Sequence, residues 1–222
     1  MTAAFQYISQ NRPGWDHFDV VRSACQAGVE WVQLRMKNVS RAKIIEEGKV
    51  VKELCLEYNA KFILNDDPEL AVLLGADGIH LGLKDMPIRE ARRLVGDSML
   101  IGGTANTLDD ILRHRDEGAD YIGLGPFRFT NTKKNLSPIL EYDGIMAVME
   151  ALDVLGIDIP VVAIGGIRIE DIKRLKKTGV SGIAISGDFT DAILNDRASL
   201  VFAEIMGIWN EKIHLDQDKT FR

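Results

Sequence analysis

The stretch KFILNDDPELAVLLGADGIHLG, residues 61–82, holds one complete structural repeat. KFILN is a short apolar run of the length and composition of a buried strand. Asp66-Asp67 then precede Pro68, the order in which a carboxylate cap and a first-turn proline open a helix. Gly75 closes that helical segment, and DGIHLG starts the next strand.

The same unit recurs in both directions. FQYIS (5–9), WVQLR (31–35), MLIGG (99–103), DYIGLG (120–125), PVVAIGG (160–166) and GIAIS (182–186) join KFILN (61–65) and DGIHLG (77–82) as strand-like runs. Between them lie stretches such as IIEEGKVVKELCLEY and IEDIKRLKKTG, apolar at three-to-four spacing. Gly28, Gly75, Gly118 and Gly179 each close a helical segment shortly before a strand. Eight strand–helix units at a spacing of about 25 residues predict an α/β, single-domain (β/α)8 TIM barrel. A doubly wound open sheet is the alternative, although no Gly-x-Gly-x-x-Gly follows the first strand. Residues 1–207 are read as the barrel, and 208–222 as a polar C-terminal tail.

The 222 residues carry a net charge of −6, so there is no global basic field to attract nucleic acid or an anionic membrane. Any anionic ligand must be held locally. No apolar stretch approaches the roughly 20 residues of a membrane span, and the N-terminus lacks the basic start and apolar run of a signal peptide. Cys25 and Cys55 sit in helix-like segments and read as buried thiols of a reducing compartment. A cytoplasmic protein is expected, with small phosphorylated molecules as partners and homo-oligomerisation compatible with the sequence.

In a barrel, reactive side chains come from the C-terminal ends of the strands. Seven successive ends carry polar or glycine residues. They are Gln33-Leu34-Arg35-Met36-Lys37, Asn65-Asp66-Asp67, His80 with Asp85, Gly102-Gly103-Thr104, GPFRFTNTKK (125–134), Gly165-Gly166 and Ser186-Gly187. Asp66 and Asp85 end neighbouring strands about 4.8 Å apart. Two carboxylates without a His/Cys cluster suit Mg2+, which keeps waters and accepts phosphate oxygens. Read singly, each Asp suits a helix cap better, Asp66 or Asp67 at Pro68 and Asp85 at Pro87; their shared place at the mouth with Arg35 and Lys37 favours the ion. Arg35 and Lys37 alternate onto one strand face and suit a di- or triphosphate, where the plainer reading is solvated charge. Gly165-Gly166 with Ser186 form a candidate phosphate cup at strands seven and eight. His80 reads as a hydrogen-bonded interior residue, and His17, His114 and His214 as surface residues.

With these residues in view, the chain resembles the thiamine phosphate synthase family over about residues 5–206. The matching motifs are Gln33 to Lys37, Asn65-Asp66, Gly78 to Gly82 with Asp85, and Gly125-Pro126 through Thr130-Asn131-Thr132-Lys133. Ala163 to Ile167 and Ile185-Ser186 complete the set. The resemblance implies a transferase that joins hydroxymethylpyrimidine diphosphate to thiazole phosphate, releasing pyrophosphate. It implies Mg2+ on Asp66 and Asp85, and a pyrimidine diphosphate met by Gln33, Arg35, Lys37, Asn65 and Lys133. Leu34, Met36, Thr104 and Asn131 join the substrate-binding set. Thr130, Thr132, Gly166, Ile185 and Ser186 would take the thiazole phosphate. Arg35, Lys37 and Lys133 are the expected catalytic residues, in a dissociative reaction where pyrophosphate leaves first. Arg128 and Lys134 are expected to face solvent. The chain departs from the family's usual pattern at Thr104, Leu83 and Gly187-Asp188. A thiazole tautomerase-like barrel is one alternative, although it needs no diphosphate site. A non-catalytic barrel binding thiamine precursors or phosphate is the other.

Overall fold

The computed structural model describes residues 4–129 and 138–211. Eight parallel strands close into a barrel in sequence order: β1 Phe5–Ile8, β2 Trp31–Leu34, β3 Lys61–Asn65, β4 Gly78–Leu81, β5 Leu100–Ala105, β6 Tyr121–Leu124, β7 Val161–Ile164 and β8 Gly182–Ile185. Pairing of β1 with β8, Phe5 opposite Ile183, completes the ring. The predicted (β/α)8 barrel is therefore the observed fold, and the open sheet is excluded.

Helices follow the strands: α1 His17–Gln26, α2 Arg41–Glu57, α3 Pro68–Leu73, α4 Ile88–Val95, α5 Leu108–Asp116, α6 Glu141–Val154, α7 Ile172–Lys176 and α8 Gly187–Leu194. A last helix, α9 Ala198–Asn210, closes the described chain. The boundary expected at 207 falls inside α9, where Ile208 and Trp209 still pack on the core. Caps were written locally. Asp16 with Asp19, and Thr107 with Asp110, make reciprocal capping boxes, and Ser40 accepts from the Lys43 N–H. The four helix-closing glycines all adopt φ between 60° and 99°.

Alternation along each strand builds two apolar layers. Val32 and Leu34 face outward to the helices, whereas Trp31 turns inward to Ile8, Ile63, Tyr121, Val162 and Ala184. Inside the barrel the Tyr121 ring meets Trp31 edge-on at 4.9 Å between centroids. Gly102 makes this possible, since a Cβ there would lie 2.1 Å from Cζ of Tyr121. Above these rings runs a polar layer. His80 Nδ1 bonds the Tyr121 hydroxyl at 3.1 Å, His80 Nε2 bonds Thr104 Oγ1 at 3.0 Å, and Gln33 donates to Gln6 at 3.3 Å. The interior reading of His80 holds.

Two histidines expected at the surface are buried. His17 Nδ1 bonds Ser9 Oγ at 2.8 Å, and His114 Nε2 meets the Thr104 carbonyl at 2.9 Å, each residue only 6% exposed. Both lie on the inward stripe of a short helix, where sequence context resembles that of a polar surface turn. His214 lies outside the described residues.

Candidate active site

The strand ends converge on one mouth. At the end of β2, the Arg35 N–H donates to Ser9 Oγ at 3.2 Å, and Lys37 pairs with the Asp66 carboxylate. The Arg35 guanidinium is half-buried; burial lowers its pKa, and the charge of Asp66 opposes that shift. Leu34 is buried in the layer between strands and helices, so it can meet a substrate only through its main chain. Met36 is partly buried against the same layer.

The adjacent aspartates after β3 divide the work. Asp67 caps α3, accepting from the Leu70 N–H at 3.0 Å, while Asp66 caps nothing. Asp66 instead sits at φ 74°, a left-handed backbone that a non-glycine residue rarely keeps without a reason. Asp85 is not the cap of α4, whose N-terminus at Pro87 has no side-chain cap. Its carboxylate accepts the Gly82 N–H at 2.6 Å and stands within hydrogen-bonding reach of Asp66. Burial raises the Asp85 pKa and the nearby Asp66 adds to this, while the Gly82 N–H and Lys37 oppose it. Two facing carboxyls are an oxygen donor pair that a hard cation satisfies, with the Lys37 ammonium as the countercharge already on Asp66. Among the described residues no group of three or more His, Cys, Asp or Glu side chains is placed to hold a metal ion, so waters and phosphate oxygens would complete such a shell. Beside the pair, the Asn65 Nδ2 group is buried without a hydrogen-bond partner, a donor left for an acceptor from outside the protein.

Across the mouth, Gly165 and Gly166 adopt φ 94° and 69°. Ser186 precedes α8 and turns its carbonyl into the helix, accepting from the Thr190 N–H at 2.9 Å. Its hydroxyl lies 3.4 Å from the Gln10 side-chain oxygen. Ile185 is packed outward and offers the mouth only main chain. The Asp188 carboxylate accepts from the Ile169 N–H at 3.2 Å. Thr104 is the one polar residue of the β5 end, and its hydroxyl is engaged by His80.

A cavity of about 300 Å³ is lined by Arg35 and Lys37 after β2 and by Ser186 after β8. Ser9 and Gln10 line it as well. The end of β1 thus contributes to the mouth in addition to the seven strand ends expected from the sequence, and the polar run Ser9-Gln10-Asn11 is its signal there. Thr130, Asn131, Thr132, Lys133 and Lys134 lie outside the described residues. Arg128 corrects an expectation. Rather than reaching solvent, it forks onto Asp171 at 2.8 and 2.9 Å and donates to the Gly166 carbonyl at 2.7 Å.

Residues 7–189 match the sequence model of a family described as thiamine monophosphate synthase. The thiamine-phosphate synthase of Bacteroides fragilis is 47% identical over 189 residues, 85% of this chain and 93% of that protein. That of Flavobacterium johnsoniae is 44% identical over 209 residues, covering 94% and 95% respectively. Among solved structures, the thiamine phosphate pyrophosphorylase from Pyrococcus furiosus superposes with a TM-score of 0.79 at 30% identity, over 93% of this chain and 95% of that one.

Proposed function

Because the chain belongs to the thiamine monophosphate synthase family, we propose that its barrel mouth joins hydroxymethylpyrimidine diphosphate to thiazole phosphate with release of pyrophosphate. It is a transferase of thiamine biosynthesis acting on small phosphorylated substrates. The observation that carries the assignment to this mouth is the shared cavity. Arg35 and Lys37 from β2 and Ser186 from β8 line one space, so two anions can be held facing each other.

In this reading Arg35 and Lys37 bind the diphosphate, Gln33 and Asn65 orient the pyrimidine, and Lys133 faces the leaving group. Thr130, Thr132, Gly166, Ile185 and Ser186 take the thiazole phosphate, with Asn131 and Thr104 nearby. Asp66 and Asp85 would hold Mg2+, which supplies positive charge against the departing pyrophosphate. Fixed cations already aimed at that oxygen act the same way and need no reorganisation when the bond breaks. The carbon–oxygen bond to pyrophosphate opens first, and the thiazole nitrogen then donates its pair to the pyrimidine methylene cation. No strong base is required, which agrees with His80 being occupied by Tyr121 and Thr104. Positioning and exclusion of water from the cation supply the remainder. Free, buried Cys25 and Cys55 support a cytoplasmic setting.

The test is a coupled assay of pyrophosphate release with both substrates and Mg2+, with thiamine phosphate identified as product. Turnover dependent on all three components is expected. Absence of thiamine phosphate above background sinks the assignment. A tautomerase would instead isomerise thiazole phosphate with no pyrimidine substrate present.

A further inference from the structure

Arg128 lies in a stretch whose neighbours are expected to touch substrate, yet its guanidinium is already committed. Three of its hydrogen bonds go to Asp171 and to the Gly166 carbonyl. Its own backbone N–H holds the Gly165 carbonyl at 2.8 Å, and the Phe127 N–H holds that of Ile164 at 2.9 Å. Asp171 is in turn fixed by the Arg168 N–H at 2.8 Å. Burial alone would raise the Asp171 pKa, but Arg128 and the Arg168 N–H bring it below the usual carboxylate range. The pair is therefore ionised and held at neutral pH.

The consequence follows from peptide geometry. In a trans peptide the C=O and the following N–H point in opposite directions. With the Gly165 and Gly166 carbonyls both drawn to Arg128, the N–H groups of Gly166 and Ile167 point away from it. Neither N–H has a hydrogen-bond partner among the described residues. Successive free amides that follow the left-handed pair Gly165-Gly166 make an anion-binding concavity. The fit allows no side chain at Gly166, where a Cβ would lie 3.0 Å from both Cβ and the carbonyl oxygen of Arg128.

We propose that Arg128 is a positioning residue for the thiazole phosphate: its main chain holds the Gly165 carbonyl, and its guanidinium, by gripping the Gly166 carbonyl, aims the Ile167 amide at the anion beside that of Gly166. Asp171 is the anchor that keeps the grip in place. This rests on the reading that the cup of Gly166 and Ser186 receives the thiazole phosphate.

Steady-state kinetics of wild type, Arg128→Ala, Arg128→Lys and Asp171→Asn, each substrate varied in turn, separate the outcomes. Loss of an oriented charge-assisted contact should raise the KM for thiazole phosphate about tenfold in Arg128→Ala, with KM for the pyrimidine diphosphate within about twofold. Arg128→Lys, which still reaches the Gly166 carbonyl but cannot fork onto Asp171, should recover part of that loss. The inference is overturned if the thiazole phosphate KM is unchanged, or if both KM values rise together with a fall in Tm. Should Arg128→Ala not fold, Asp171→Asn gives the same decision, with a selective rise of about threefold expected. A wild type that makes thiamine phosphate while these variants show no split removes the role of Arg128 alone. A wild type with no turnover removes the reading beneath it, and this inference with it.

Discussion

The carboxyl of Asp85 sits where burial already disfavours its charge, and Asp66 beside it adds to that cost. Such a pair is unfavourable in isolation, and a cation between them reverses the balance. Asp85→Ala should therefore lower Mg2+-dependent turnover on the order of a hundredfold or more while leaving Tm nearly unchanged. Near-normal kinetics would show that Asp85 serves only the Gly82 turn. Gly102 poses the opposite case, a residue with no chemistry and no spare room. Gly102→Ala drives a methyl into the Tyr121 ring, and overpacking of this kind costs about 1–3 kcal/mol or more. Urea unfolding would measure it, and an unchanged midpoint would mean that the ring moves aside freely.

Between elements, the two ends of the barrel have separate duties. On the face opposite the mouth, Arg92 of α4 donates to the carbonyls of Gly96 and Met99 at 2.8 Å and of Gly118 at 2.9 Å. It also pairs with Asp120, whose carboxylate accepts the Ile101 N–H at 2.7 Å. One side chain thus staples the entries of β5 and β6. Arg92→Ala should cost about 2–3 kcal/mol in unfolding free energy, as charged hydrogen bonds do, while both KM values stay put. A shift in either KM would contradict the separation of stability from catalysis. These elements were legible in the sequence because each is encoded locally: apolar runs made the strands, and Gly28, Gly75, Gly118 and Gly179 marked where helices stop. The site was legible only where function and local signal coincide. Asp66 and Asp67 are indistinguishable as letters, and only the backbone shows which one caps α3. Arg128 was misread because its partner is remote along the chain, where no spacing rule reaches. His17 and His114 were misread because a short helix gives too few turns to define its buried side.

For the molecule as a whole, acid is the condition to watch. Burial holds His17 down at about 4 against an ordinary 6.5, with the charge of Asp16 opposing the shift. The folded state thus binds fewer protons than the unfolded chain between those values. Its contribution is complete above pH 6.5 and drains away as pH falls toward 4, by about 2 kcal/mol between pH 7 and 5. Urea midpoints at those two pH values should converge for His17→Asn relative to wild type, and an identical pH slope in the variant would remove His17 as the cause. The barrel's interior packing has a further consequence. Of three tryptophans, Trp31 alone is enclosed, against Tyr121 inside the barrel, whereas Trp15 and Trp209 lie partly exposed. With those two replaced by phenylalanine, the fluorescence of a single indole becomes an optical gauge of the closed ring itself, blind to whatever the substrates do at the rim.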